Sequence, residues 1–340
     1  MSTSTAASSA DARPGRRVAA WVVSELGAPE AMHLSDVPAP SAGPGQTVVQ
    51  VAAVGLNFLD TLMIAGGYQV KPPLPFIPGV EFSGRIAAAG EGSRFAVGQP
   101  VCGQVDFGAM AEEVVANDHD LLALPEDVDL VSAAALPIVY PTAHAALVLR
   151  AGLSAGETVL VHSAAGGVGL AAVQVAKALG ARVIGTARGA QKAAIVRAEG
   201  ADACLDYSDA SWVEAVKALT DGRGADIVID PVGGEITRAS LRCLAWSGRL
   251  VVVGFAAGSI PAIPTNLLLL KNISLVGVHW GAYRTHDRAQ FIRTFDEVLD
   301  LWRRGLIAPV ISRRHPMTEA PQALRDLAER RTHGKVLLAI

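Results

Sequence analysis

Residues 158–169 read Thr158-Val159-Leu160-Val161-His162-Ser163-Ala164-Ala165-Gly166-Gly167-Val168-Gly169, an apolar, β-branched run that breaks into three glycines within four positions. A short apolar run of this kind suits a buried strand, and the apolar stretch 170–179 that follows, closed by Gly180, suits a helix. Strand, glycine turn and helix in direct succession make the phosphate-binding corner of a dinucleotide fold. Gly166 lets backbone approach a pyrophosphate, Gly169 lets the helix pack closely, and the N–H groups opening the helix attract negative charge. Ala164 stands where such corners commonly carry their first glycine. A merely tight turn would not require so many glycines.

Outward from that corner the pattern repeats. Strand-like runs at 158–162, 182–186, 203–205, 225–229, 249–253 and 273–278 alternate with helical stretches, which calls for a parallel sheet covered by helices on both faces. The chain before it, from 18 to about 136, reads instead as short strands at 18–23, 47–54, 81–88, 101–105 and 111–115, parted by Gly/Pro clusters at 38–45 and 72–79. After about 281 come a helix near 291–303, a second helix with Thr318 as N-cap candidate, and a closing strand at 335–339. These are too few residues to bury a core alone, so they are expected to return to the β-rich part. The expected division is a Ser/Ala-rich disordered tail at 1–17, a β-rich catalytic domain from 18–140 and 279–340, and a nucleotide-binding α/β domain inserted at 141–278.

Composition narrows the function. With 340 residues, 51% of them hydrophobic, the chain has ample apolar surface for a core. A net charge of −3 with dispersed basic residues offers no stripe to follow a nucleic acid backbone. Cys102, Cys204 and Cys243 lie far apart and form no C-x-x-C pair, which speaks against a disulfide framework and a cysteine-built zinc site. No apolar stretch reaches the roughly 20 residues of a membrane span. The expectation is a soluble, cytoplasmic protein with a small-molecule substrate.

The second strand of a dinucleotide fold selects the cofactor, because an acid at its end binds the ribose 2′-hydroxyl and repels a 2′-phosphate. Here that strand ends Gly185-Thr186-Ala187-Arg188, with Lys192 one turn further on. Two cations and a hydroxyl stand where a carboxylate would select NAD, so the expected cofactor is NADPH. As ordinary solvated charges, Arg188 and Lys192 would say nothing; the missing acid is what gives them meaning.

Several stretches together carry a family resemblance: Gly55-Leu56-Asn57-Phe58-Leu59-Asp60-Thr61, the run 75–84 (PFIPGVEFSG), the glycine corner, 184–193 (IGTARGAQKA) and Asp230-Pro231-Val232-Gly233-Gly234. In this order they resemble the zinc-independent quinone oxidoreductases, the zeta-crystallin group of the medium-chain dehydrogenase/reductase superfamily. The resemblance implies a GroES-like β-rich catalytic domain, a doubly wound Rossmann nucleotide-binding domain and a cofactor cleft. Zinc-bearing relatives carry cysteine and histidine where Asn57 and Val80 stand, so no metal is expected; Glu81, common to both branches, reads as structural. By the same resemblance, Asn57 and Asp60 face the substrate, Thr142 touches the nicotinamide end, and Gly254 and Phe255 lie by its ring. Ala165, Gly166, Gly167, Val168 and Gly169 cradle the pyrophosphate, and Thr186, Arg188, Lys192 and Tyr207 surround the 2′-phosphate. Tyr140-Pro141 and Val278-His279-Trp280 depart from the commonest family residues.

Tyr68 follows Gly66-Gly67, a context in which quinone and enoyl-thioester reductases direct a tyrosine at the substrate. Its alternative is a loop tyrosine packing its ring. The expected chemistry is hydride transfer to a quinone or related conjugated carbonyl whose developing oxyanion is met by Asn57, Tyr68 and backbone N–H groups, with Asp60 orienting. Two other readings stay open: an NADPH-dependent enoyl-CoA or enone reductase in which Tyr68 protonates carbon, and an NADPH-binding regulatory protein of slow turnover. His162, His144 and His279 read as buried or apolar-wall residues rather than catalytic ones, and Lys335 as an interface charge. The apolar edge strand at 273–278 points to a homodimer.

Overall fold

The structure, a computed structural model, describes residues 15–340. Of the expected tail, residues 1–14 lie outside that span, and Arg17 already opens the first strand. The N-terminal part contains β1 (Arg17–Val23), β2 (Met32–Pro38), β3 (Gln46–Leu56), α1 (Phe58–Ile64), β4 (Glu81–Ala89), β5 (Pro100–Gln104), β6 (Glu113–Asn117), β7 (Leu121–Ala123) and α2 (Leu130–Ala133). β1 and β2 form an antiparallel pair, Trp21 opposite Leu34. β2 is absent from the sequence-based reading because most of its residues face solvent, leaving no apolar alternation to detect. Long β3 is the spine of this part and pairs antiparallel with both β4 and β6.

The middle of the chain contains α3 (Val139–His144), β8 (Thr158–Val161), α4 (Gly167–Ala178), β9 (Arg182–Thr186), α5 (Ala190–Ala198), β10 (Ala203–Leu205), α6 (Trp212–Leu219), β11 (Ala225–Asp230), α7 (Gly234–Cys243), β12 (Leu244–Val252), α8 (Asn266–Lys271), β13 (Ser274–Gly277), α9 (Tyr283–His286) and α10 (Arg288–Arg303). Its six strands lie in the order β10-β9-β8-β11-β12-β13, and every neighbouring pair is parallel. Strand order reverses at β8 and β11, the switch point at whose carboxyl ends ligands bind in open α/β sheets. The central strands β8 and β11 are buried almost throughout, as a sheet covered on both faces demands.

The chain closes with β14 (Ile311–Pro316), α11 (Ala320–Ala328) and β15 (Lys335–Ala339). β15 pairs antiparallel with β3, Val336 opposite Leu56, in a seven-stranded sheet. The chain divides into two compact units: one runs to Pro137 and includes Arg313–Arg331 and Val336–Ile340, the other holds Ile138–Ser312 and Thr332–Lys335. This corrects the expected boundaries, since 279–312 belong with the nucleotide-binding unit rather than the β-rich one. The reason is α10, whose face of Phe291, Phe295 and Val298 is buried and packs on α3. No helix among the described residues is long and apolar enough to cross a membrane.

Candidate active site

At the end of β8 the chain turns through Ser163, at φ 48°, and enters α4 with Gly166 as N-cap. A Cβ on Gly169 would lie 2.3 Å from the Ser163 carbonyl oxygen and 2.7 Å from the Ala164 Cα. Only glycine allows the helix to start so close to its strand. Gly166, Gly167 and Val168 are partly exposed, and the first N–H groups of α4 have no acceptor within the helix. This opening suits an anionic diphosphate, so the residues fit a dinucleotide.

Beneath the corner lies a polar chain. His162 is fully buried, its Nδ1 2.9 Å from Thr186 Oγ1 and its Nε2 2.8 Å from Ser240 Oγ. The Ser240 hydroxyl donates to the Ile236 carbonyl, so it accepts from His162. The imidazole therefore carries its proton on Nε2 and receives the Thr186 hydroxyl on Nδ1. Burial, against the pull of nearby Asp230, holds this histidine well below its ordinary range and keeps it neutral. Thr186 is inaccessible to solvent, its hydroxyl spent on His162 and its carbonyl accepting the Ala164 N–H at 2.8 Å. The expectation that Thr186 offers a hydroxyl to a 2′-phosphate is thereby corrected: it supports the corner from below.

Beyond β9 the exposed Arg188 guanidinium lies 5.7 Å from the centre of the Tyr207 ring, and Lys192 sits in the first turn of α5. Asp206, which sequence reading passed over, stands in the same region. Its carboxylate accepts from Gly189 N–H and from Ser208 N–H and Oγ. Those bonds, with Arg188 nearby, hold its pKa below the usual carboxylate value. Only tertiary folding brings the end of β10 beside Gly189. At the carboxyl ends of β11 and β12, the loop of Gly254 and Phe255 is stitched to the Asp230–Gly234 turn, Ala256 N–H bonding Pro231 O and Ala257 N–H bonding Val232 O. Phe255 is left exposed there.

In the β-rich unit, Asn57 caps α1 and Asp60 occupies its first turn, with the Asp60 carboxylate accepting the Asn57 N–H at 2.7 Å. This reach-back is how an acid three residues after the cap satisfies a helix start. The two are thus joined by capping rather than by sharing a helical face. Asn57 Nδ2 donates to Glu81 Oε1 at 2.8 Å and to Gly55 O at 3.1 Å. Both amide hydrogens are committed, which corrects the expectation that Asn57 meets the substrate oxyanion; it positions Glu81. Such an amide turns N–H groups, not a lone pair, toward the carboxylate, and Val80 offers no ligand atom, so these residues do not fit a zinc ion. Among the described residues no group of three His, Cys, Asp or Glu could hold a metal. Tyr68 is partly buried, and burial, followed by the Asp60 and Asp106 carboxylates, raises its phenol pKa.

Other residues singled out in the sequence are buried. Thr142 and Tyr140 are buried in α3, the Tyr140 hydroxyl 2.8 Å from Gln174 Oε1. His144 is buried with Nε2 3.4 Å from Glu297. Trp280 is sandwiched by Phe291 at 4.6 Å and Tyr283 at 5.8 Å, inside its own unit.

Comparison with known proteins follows the same lines. Residues 43–126 match the alcohol dehydrogenase GroES-like domain, and residues 167–298 the family described as zinc-binding dehydrogenase. Quinone oxidoreductase-like protein 2 of Rattus norvegicus is 41% identical over 327 residues, covering 96% of this chain and 93% of its own length. Quinone oxidoreductase of the same organism is 35% identical over 308 residues, covering 90% and 92%. The solved structure of the mycobacterial protein Rv1454c complexed with NADPH superposes with a TM-score of 0.88 at 33% identity, covering 95% of this chain and all of that one.

Proposed function

This chain belongs to the quinone oxidoreductase-like members of the medium-chain dehydrogenase/reductase superfamily, and we propose that it reduces quinones with NADPH and without zinc. Bound NADPH supplies the hydride. The opening of α4 at Gly166, Gly167 and Val168 holds the pyrophosphate, and Arg188, Lys192 and Tyr207 hold the 2′-phosphate. Thr142, Gly254 and Phe255 belong to the nicotinamide end. Tyr68 donates a hydrogen bond to the substrate oxygen on which charge develops.

The setting of Tyr68 carries the choice of substrate class. Its phenol lies near Asp60 and Asp106, and its raised pKa means that a phenolate there would form beside two carboxylates. Such a tyrosine keeps its proton and serves as a hydrogen-bond donor. That is sufficient for a quinone, whose reduced oxygens take protons from water, and a poor arrangement for an enone or enoyl thioester, which needs a proton delivered to carbon. The test is kcat/KM for a simple benzoquinone, a small enone and crotonyl-CoA, in wild type and Tyr68→Phe. We expect the quinone to be preferred and the variant to lose about tenfold or less. Preference for the enoyl ester, with that activity falling about 10²–10⁴-fold in the variant, would overturn the quinone reading.

Metal independence rests on the Asn57–Glu81 hydrogen bond. Dialysis against a strong chelator should leave activity unchanged; stoichiometric zinc whose removal abolishes activity would refute it. A homodimer is part of the same proposal, because β13 ends its sheet as an edge strand.

A further inference from the structure

We propose that Asp230 is a positioning residue for hydride transfer, holding the loop of Gly254 and Phe255 at the carboxyl end of β11. The inference rests on the NADPH reading, in which that loop meets the nicotinamide, and deepens it. Asp230 is the last residue of β11, at the switch point of the parallel sheet, and only 1% of it is exposed. A carboxylate so deeply buried needs donors to meet its charge. Val232 N–H donates to Oδ1 at 2.8 Å and Gly233 N–H to the same oxygen at 3.1 Å. The hydroxyl of Thr237, a buried residue of α7, donates to Oδ2. One side chain thereby shapes the turn at 231–234 and ties it to the helix that follows.

That turn is the seat of the 253–257 loop. Asp230 O accepts Val253 N–H at 2.9 Å and Gly254 N–H at 3.4 Å, Pro231 O accepts Ala256 N–H at 3.0 Å, and Val232 O accepts Ala257 N–H at 2.9 Å. Gly233, at φ +81°, lies directly against the loop: a Cβ there would stand 2.9 Å from Phe255 Cδ1 and 3.0 Å from the Ser259 carbonyl oxygen. Phe255 itself is 41% exposed. Backbone bonds to the turn, more than burial, therefore set where its ring lies. Without the Asp230 carboxylate the turn loses the acceptor of two of its N–H groups, and the loop loses a fixed seat. A nicotinamide resting on that loop is then misplaced relative to the acceptor, and a displacement of about 1 Å can cost about 10²-fold in rate. In the same reading the phosphates rest on α4, Arg188 and Lys192, so the adenosine end of the cofactor does not depend on this carboxylate.

The experiment compares the full chain as wild type, Asp230→Ala, Asp230→Asn and Gly233→Ala in three measurements. These are kcat for a simple benzoquinone at saturating NADPH, the anisotropy decay of the reduced nicotinamide's fluorescence in bound NADPH, and the affinity for 2′,5′-ADP, which has no nicotinamide. Asp230→Ala should lower kcat by about 10–10²-fold and add a fast component to the decay, the mark of a loosely held ring, while 2′,5′-ADP affinity is unchanged. Asp230→Asn keeps an oxygen for the Val232 and Gly233 N–H groups and turns its amide to a hydroxyl that accepts as well as donates, so it should restore most of both signals. Gly233→Ala leaves the carboxylate in place but pushes on Phe255, and should reproduce the Asp230→Ala pattern. Should Asp230→Ala not fold, Thr237→Val, which removes the donor to Oδ2 alone, takes its place with a smaller change in the same direction. Wild-type kcat and decay in the Asp230 or Thr237 variant, or a matching fall in 2′,5′-ADP affinity, refutes the positioning role while the NADPH reading stands. If wild type neither oxidises NADPH nor binds 2′,5′-ADP, the NADPH reading itself fails and this inference with it.

Discussion

Thr186 and Lys192 show how two polar side chains of one sequence stretch come to do different work. Lys192 stands in the first turn of α5 with a partly exposed side chain, whereas the Thr186 hydroxyl is consumed by His162 below the glycine corner. Lys192→Ala should therefore weaken NADPH by about ten- to a hundredfold, the loss of a charge-assisted phosphate contact, and leave NADH nearly untouched. Thr186→Val removes the donor to His162 Nδ1 without touching a ligand. We expect it to destabilise the fold by about 1–3 kcal/mol and to weaken NADPH and NADH alike. Fluorescence titration of both cofactors against both variants separates the roles; equal losses of the two cofactors in Lys192→Ala would remove Lys192 from the phosphate site. Sequence distinguishes a cation from a hydroxyl but not an accessible group from one whose hydrogen bond is already made. Asn57 teaches the same point, its amide belonging to Glu81 and Gly55.

Several strands fall where their apolar runs place them. β9, β10 and β15 fall at the residues expected from their apolar runs, whereas α4 starts at Gly167, three residues before the apolar stretch 170–179. β2 escaped notice because pairing with β1, rather than its own pattern, makes it a strand. At the far edge of the parallel sheet, β13 has, among the described residues, a neighbour only in β12. Close to it in sequence, Leu269 and Leu270 of α8 are 81% and 67% exposed, and Trp246 of β12 is 71% exposed. An open edge with large apolar side chains nearby is an aggregation liability unless covered, and a second copy of the chain pairing at that edge would cover it. Sedimentation at micromolar concentration should give a dimer, or a tetramer of dimers; a monomer would overturn the expectation.

For the molecule as a whole, the buried His162 ties stability to pH. In the folded chain its pKa lies well below the ordinary 6.5, because burial disfavours the imidazolium. Above pH 6.5 neither state holds that proton and the network contributes fully. Below it the unfolded chain gains a proton that the folded chain refuses, so stability falls as pH falls, by up to about 1.4 kcal/mol per pH unit. Denaturant midpoints between pH 7.5 and 5 should drop in wild type and drop less in His162→Gln; equal slopes would show that His162 does not titrate across unfolding. By itself the sequence determined the α/β class, the glycine corner and its cofactor type, the order of the parallel strands' segments and the family, because these depend on local periodicity, on backbone freedom at glycine and on short motifs. Tertiary structure alone decided which unit claims 279–312, which polar groups remain available to a ligand, and that Asp206 reaches the region of Arg188 and Gly189. Those outcomes depend on packing and hydrogen bonding between residues far apart in the chain, and no local pattern encodes who the distant partner is.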